Sequence, residues 1–278
     1  MLTNKLNLPQ AVVLAVQNDP YTRGNSDISV TQLITPPYQR RLKETVEPVE
    51  DVAERLFSLY GQIGHAILER AGLRAGLNVE ERLFAKIGGL TVSGQYDIIQ
   101  DGCLQDYKFT THWSVKDEEP KQEWVEQLNL LRVLAIRNGM KVTSLRIIAF
   151  LRDHQKTMAK RDISYPQLPV ATVDIPLWRI EDAEEFMAER IKAHLELNPP
   201  PCSDAERWMT NPVYALKKAG RKSAIKLFDE KSDADIACEA GGKDHFVEYR
   251  KGEYRRCNDY CNVSHGCPIF QDEQRTEF

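Results

Sequence analysis

From residue 52 to residue 71 the apolar positions Leu56, Leu59, Tyr60, Ile63 and Ile67 recur at helical spacing and stop at Gly72, which predicts an amphipathic helix. The rhythm then changes. Three β-prone runs follow, at residues 81–87, 90–99 and 103–109, the last two separated by Asp101-Gly102. A second helical stretch, 121–138, carries Trp124, Leu128, Leu131 and Ala135 on one stripe and is stopped by Gly139. Residues 142–151 and 170–177 read as strands, and 180–197 as a third long helix. This order predicts an α/β core, a central mixed sheet flanked by helices, over residues 51–200. Upstream, residues 1–50 hold short helical stretches broken at Pro36-Pro37, with Ser29 placed to cap one, and are expected to form an N-terminal cap. Pro199-Pro200-Pro201 closes the core. Residues 201–278 then alternate weaker signals, including a helix near 233–240 and a strand near 246–254, which predict a small α+β unit.

Composition narrows the functional classes. The chain has 278 residues, 42% of them hydrophobic, enough for a real core. No apolar run approaches the roughly 20 residues of a membrane span, and MLTNKLNLPQ lacks the charged and apolar regions of a secretion signal. A cytoplasmic protein with no membrane partner is expected. The net charge of -4 gives no global attraction to nucleic acid, so such binding needs local basic patches. Lys217, Lys218, Arg221, Lys222 and Lys226, with Arg250, Lys251, Arg255 and Arg256, are candidates, diluted by Asp229, Glu230 and Asp233. Six cysteines in a reducing compartment favour metal ligation or catalysis over disulfides.

The candidate chemistry lies at the Asp101-Gly102 turn. A two-residue hairpin there sets Gln100 opposite Cys103, Ile99 opposite Leu104 and Asp97 opposite Asp106. Side chains alternate, so Lys108 shares the face of Asp106 while Tyr107 and Phe109 point away. Like charges directly opposite destabilise a hairpin unless positive charge lies between them. A divalent cation answers that requirement, and carboxylate oxygens suit Mg2+ or Mn2+. Lys108 would then orient the attacking water or stabilise charge at phosphorus. A surface hairpin with an Asp106 to Lys108 salt bridge is the plainer alternative.

With its neighbours, this segment resembles the PD-(D/E)XK nuclease superfamily, specifically RecB-like exonucleases and their phage and CRISPR-associated relatives. The resemblance covers residues 52–150 and the C-terminal cysteines. It implies a restriction-endonuclease-like fold in which Gly61-Gln62-Ile63-Gly64-His65 supplies His65 as a metal ligand beside Asp97, Asp106 and the Tyr107 carbonyl. The family's Gln-x-x-x-Tyr helix is matched at Gln127, but Leu131 stands at the tyrosine position. Trp113, after the lysine strand, is either a base-stacking or a core residue, and Glu81 is a weaker candidate for supporting the site.

Cys257, Cys261 and Cys267 lie within one short irregular stretch, and Cys202, just after the proline break, is the best fourth ligand. The spacing resembles RecB-like nucleases with a [4Fe-4S] cluster. Structural zinc, held by the four thiolates or with His265 replacing one of them, is the competitor. Either would staple the chain end to the core. Cys103 and Cys238 read as small buried residues.

The resulting expectation is a metal-dependent DNA exonuclease acting on single-stranded DNA or free ends in recombination, repair or phage DNA processing, in a bacterial or phage-infected cell. A recombination partner protein and a homo-oligomer both remain open. The alternatives are a noncatalytic DNA-binding or assembly module of the same fold, and a spacer-processing nuclease of CRISPR adaptation.

Overall fold

The computed structural model describes residues 1–19, 22–117 and 119–276. Its elements are β1 (Leu2–Thr3), α1 (Gln10–Gln17), β2 (Ile28–Ser29), α2 (Val30–Leu33), α3 (Pro37–Thr45), β3 (Glu50–Asp51) and the long helix α4 (Val52–Arg74). Then come β4 (Arg82–Ile87), β5 (Leu90–Gln95), β6 (Ile98–Gln100), β7 (Cys103–Thr110), α5 (Gln122–Arg137), β8 (Ser144–Leu151), α6 (Lys156–Ala159), β9 (Val170–Ile175) and α7 (Ile180–Leu195). The last part holds β10 (Val213–Lys218), β11 (Lys226–Phe228), α8 (Lys231–Gly241), β12 (His245–Arg250) and α9 (Pro268–Thr276). The chain is mixed α/β. It divides into two compact units, Met1–Pro37 with Val49–Pro199, and Tyr38–Pro48 with Pro200–Phe278.

In the first unit, β6-β7-β8-β9 form one mixed sheet, with β7 and β8 parallel and the outer pairs antiparallel. A second sheet, β2-β5-β4, lies alongside. Helix α5 packs on strands of both, and its Leu128, Leu131 and Leu134 are fully buried with Leu104, Ile147 and Met187. Truncating any one of these leucines to alanine should cost about 2–5 kcal/mol, through lost transfer free energy plus the cavity left behind.

Three expectations are corrected here. Residues 90–99 are not one strand but two, β5 and β6, in different sheets. The break has a cause: Tyr96 is buried with its hydroxyl donating to Glu81 at 2.7 Å, while the Asp97 carbonyl accepts from Glu80 N at 2.9 Å. Gly72 does not stop the first long helix, which runs on to Arg74; it is buried against Val79, where a Cβ would collide. Nor are residues 1–50 one cap. Residues 38–48 belong to the cysteine-bearing unit, where Val46 packs on Gly266, and the rest joins the core.

The second unit is a three-stranded antiparallel sheet, β11-β10-β12, with α8 packed on it. Its buried hydrophobic residues are Ala215, Leu216, Ala234 and Val263. A core that small needs a further constraint to hold its fold. No helix among the described residues is long and apolar enough to cross a membrane.

Candidate functional site

The hairpin register is the one the sequence predicts: Gln100 pairs with Cys103, Ile99 with Leu104 and Ile98 with Gln105. Asp101 and Gly102 both have positive φ, 52° and 75°, the backbone a type I′ turn requires. One step beyond this ladder, Asp97 turns its carboxylate across to β7 and accepts a hydrogen bond from the Tyr107 backbone N–H. Asp106 is buried beside Lys108, whose ammonium lies 2.6 Å from Asp106 Oδ2.

Helix α4 brings in His65. Gly64 makes that approach possible, since a Cβ at Gly64 would overlap the Phe109 ring, whereas Gly61 has open space around it. His65 then sits against Tyr107 and Phe109, ring centroids 6.1 and 5.9 Å away. Its Nδ1 lies 2.9 Å from Glu80 Oε1 and 3.5 Å from Asp97 Oδ1. Among the described residues, His65, Glu80 and Asp97 are the group whose ligand atoms all fall within 4.8 Å of one another. Glu80 was missed in the sequence; the carboxylate one residue on, Glu81, is instead engaged by Tyr96.

Asp106 stands outside that trio, so the ligand set expected from the sequence is only partly assembled. Gln127, on α5, donates to Asp106 Oδ1 at 3.0 Å and accepts from Lys108 Nζ at 3.0 Å. Asp106 Oδ2 is buried and faces the Lys108 ammonium at 2.6 Å. The His-Glu-Asp group, with the Asp106 carboxylate beside it, fits a divalent cation, because carboxylate oxygens suit magnesium or manganese.

The electrostatics reflect the crowding. Burial first, and then the Asp106 charge, push the Asp97 carboxyl up to about 8 against the pull of His65 and the Tyr107 N–H. For His65, burial opposes protonation, but the Glu80 hydrogen bond and the charges of Asp97, Glu80 and Asp106 outweigh it, and its pKa rises.

In the second unit Cys202, Cys257, Cys261 and Cys267 line one cavity with Tyr38, Gln39 and Leu42. All are free thiols. Burial, then Glu206 and the three other thiols, push Cys202 up to about 12. Four convergent thiols, with Leu42, Ile269 and Phe270 completing the wall, fit a cluster that takes four thiolates. The group of ligand atoms within 4.8 Å contains none of these sulfurs. His265 is not in the cavity wall; Ser264 is.

Other expectations fared unevenly. Trp113 is not a core residue: it is 62% exposed, with His112 on its ring at 4.5 Å and Lys116 Nζ 4.8 Å from its centroid. Cys103 and Cys238 are half-buried rather than buried. Part of the basic stretch is neutralised within its own sheet, where Lys217 and Arg250 both pair with Glu248.

No family model matches this chain, and no curated protein matches it. Among solved structures, one described as the crystal structure of SSO0001 superposes with a TM-score of 0.45 at 13% identity, covering 70% of this chain and 89% of that chain. The functional reading therefore stands on the site itself.

Proposed function

We propose that this protein is a metal-dependent deoxyribonuclease of the PD-(D/E)XK type, hydrolysing phosphodiester bonds at DNA ends, with a [4Fe-4S] cluster on its four convergent thiols. The observation that carries the nuclease reading is the meeting of His65, Glu80 and Asp97 beside the Asp106-Lys108 pair, contributed by α4, the β6-β7 hairpin and the residue two before β4.

His65, Glu80 and Asp97 would hold the divalent cation, with the Asp106 carboxylate close by. The bound cation would offset charge on the phosphodiester and lower the pKa of a water. Lys108 stands at the edge of this group, its ammonium oriented by Gln127 and Asp106, and places positive charge where a phosphorane oxygen develops. Gln127 touches both Lys108 and Asp106 and acts as their positioning residue. The thiol cluster is read as structural, a staple for a unit with little core of its own.

One observation favours a second reading. Lys108 and Gln127 engage Asp106 outside the close trio, an arrangement that also suits a DNA-end binder without turnover. Cleavage of end-labelled single- and double-stranded DNA by anaerobically purified protein, with Mn2+, Mg2+ or EDTA, separates the two. Metal-dependent products, absent with Asp106→Ala, are expected. Tight end binding without products in either metal would establish the binder, and full cleavage by Asp106→Ala would sink the proposed site.

A further inference from the structure

Arg207 is the only lysine or arginine among the described residues that is buried, with 7% exposure. An unpaired buried charge is costly, so what it faces is informative. Its Nε donates to Cys257 Sγ at 3.3 Å. Its two terminal nitrogens fork onto the Glu273 carboxylate on α9, and its guanidinium lies 3.4 Å over the Tyr254 ring. The backbone is pinned as well, because Arg207 N donates to Ser203 O at 2.9 Å and Arg256 N donates to Arg207 O at 3.1 Å. Arg207 is thus fixed beside the residue that precedes Cys257. A second thiol has its own donor: Gln39 Nε2, on α3, lies 3.5 Å from Cys261 Sγ.

A salt bridge to Glu273 alone would explain a guanidinium that pointed its whole fork at the carboxylate. Here the remaining Nε–H is aimed at a sulfur, and a neutral amide from residue 39 approaches another. Both donors line the same cavity.

We infer that Arg207 and Gln39 are positioning residues for the thiol-bound cluster, giving N–H bonds to the sulfurs of Cys257 and Cys261 that favour its reduced state and raise its reduction potential. The inference rests on the iron-sulfur reading above. Adding an electron to a cluster held by four thiolates increases negative charge in a low-dielectric site. A fixed guanidinium and N–H donors at the sulfurs stabilise that extra charge. Glu273 orients the guanidinium and offsets part of its charge, which leaves the directed Nε–H bond as the local effect.

The test is a spectroelectrochemical titration of anaerobically purified full-length protein, with iron and sulfide content measured beside it, for wild type, Arg207→Met and Gln39→Leu. Gln39→Leu leaves the Arg207-Glu273 pair untouched, so it decides the matter if Arg207→Met does not load its cluster. The expected result is a more negative midpoint potential in each iron-loaded variant, larger for Arg207→Met, with iron content equal to wild type. Iron-loaded variants whose potential is unchanged or more positive overturn the inference and leave the cluster reading standing. Wild-type protein that carries zinc, or no iron, overturns both.

Discussion

Glu80 has a left-handed backbone, φ 51°, which turns its carboxylate onto His65. A residue other than glycine pays about 1–2 kcal/mol for that conformation, so a site is assembled at the expense of local stability. Lys108 and Gln127 share the other flank of the site. Lys108→Met should lower turnover by about 10²–10⁴-fold in steady-state DNA cleavage, the range for a group acting directly on the reacting atoms. Gln127→Leu leaves the lysine in place but unoriented, and about 10–100-fold is expected. Equal losses in both would mean that Gln127 itself touches the substrate. Asp51 gives a pH dependence far from the chemistry. It caps α4, and its pKa is held low by the Lys5 N–H first, then the Thr3 hydroxyl and the Ala53 N–H. A depressed carboxylate stabilises the fold fully above its unfolded pKa of about 3.9, and that contribution fades as pH falls through the lower folded value. Asp51→Asn should therefore lose less thermal stability than wild type between about pH 5 and pH 3. The hairpin register was legible in the sequence because it follows from turn chemistry, although the ladder ends at Ile98 and the expected Asp97–Asp106 pair lies beyond it. Glu80 was not, because its placement depends on a single backbone dihedral outside any strand.

Between elements, the approach of α4 to β7 turns on one glycine of two. Gly64→Ala places a Cβ in the Phe109 ring and should cost about 1–3 kcal/mol while displacing His65. Gly61→Ala meets nothing and should stabilise α4 by about 1 kcal/mol. Chemical denaturation of the two variants checks both, and a similar response at the two positions would contradict the packing described. Helical periodicity in the sequence does not say which of the two glycines meets a ring. The apolar positions that predicted this helix include Tyr60, Ile63 and Ile67, each about half exposed at 52%, 49% and 51%. The face of α4 that meets β7 is the one with Gly64 and His65, so its contact is set by close approach rather than by large side chains. Helix α5 was legible for the opposite reason, because its stripe packs into the core between two sheets.

At the scale of the whole molecule, two units differ in what holds them. The first has an extensive core reaching from Ile28 to Ile191, while the second buries few hydrophobic residues and gathers four thiols around one cavity. Removing the proposed cluster by air oxidation and chelation should expose the second unit to limited proteolysis and leave a resistant fragment ending near Pro199; equal resistance before and after would show that the thiols are no staple. The sequence placed the boundary at the proline run but not the transfer of residues 38–48, since a short amphipathic helix carries no mark of the unit it joins. The central claim is that His65, Glu80 and Asp97 bind a divalent cation. Calorimetric titration of Mn2+ into wild type, Glu80→Gln and Glu81→Gln tests it most directly. Binding is expected in wild type and in Glu81→Gln, whose carboxylate is engaged by Tyr96 elsewhere, with about 10-fold or greater weakening in Glu80→Gln. Undiminished Mn2+ binding by Glu80→Gln, or none by the wild-type protein, would contradict the site.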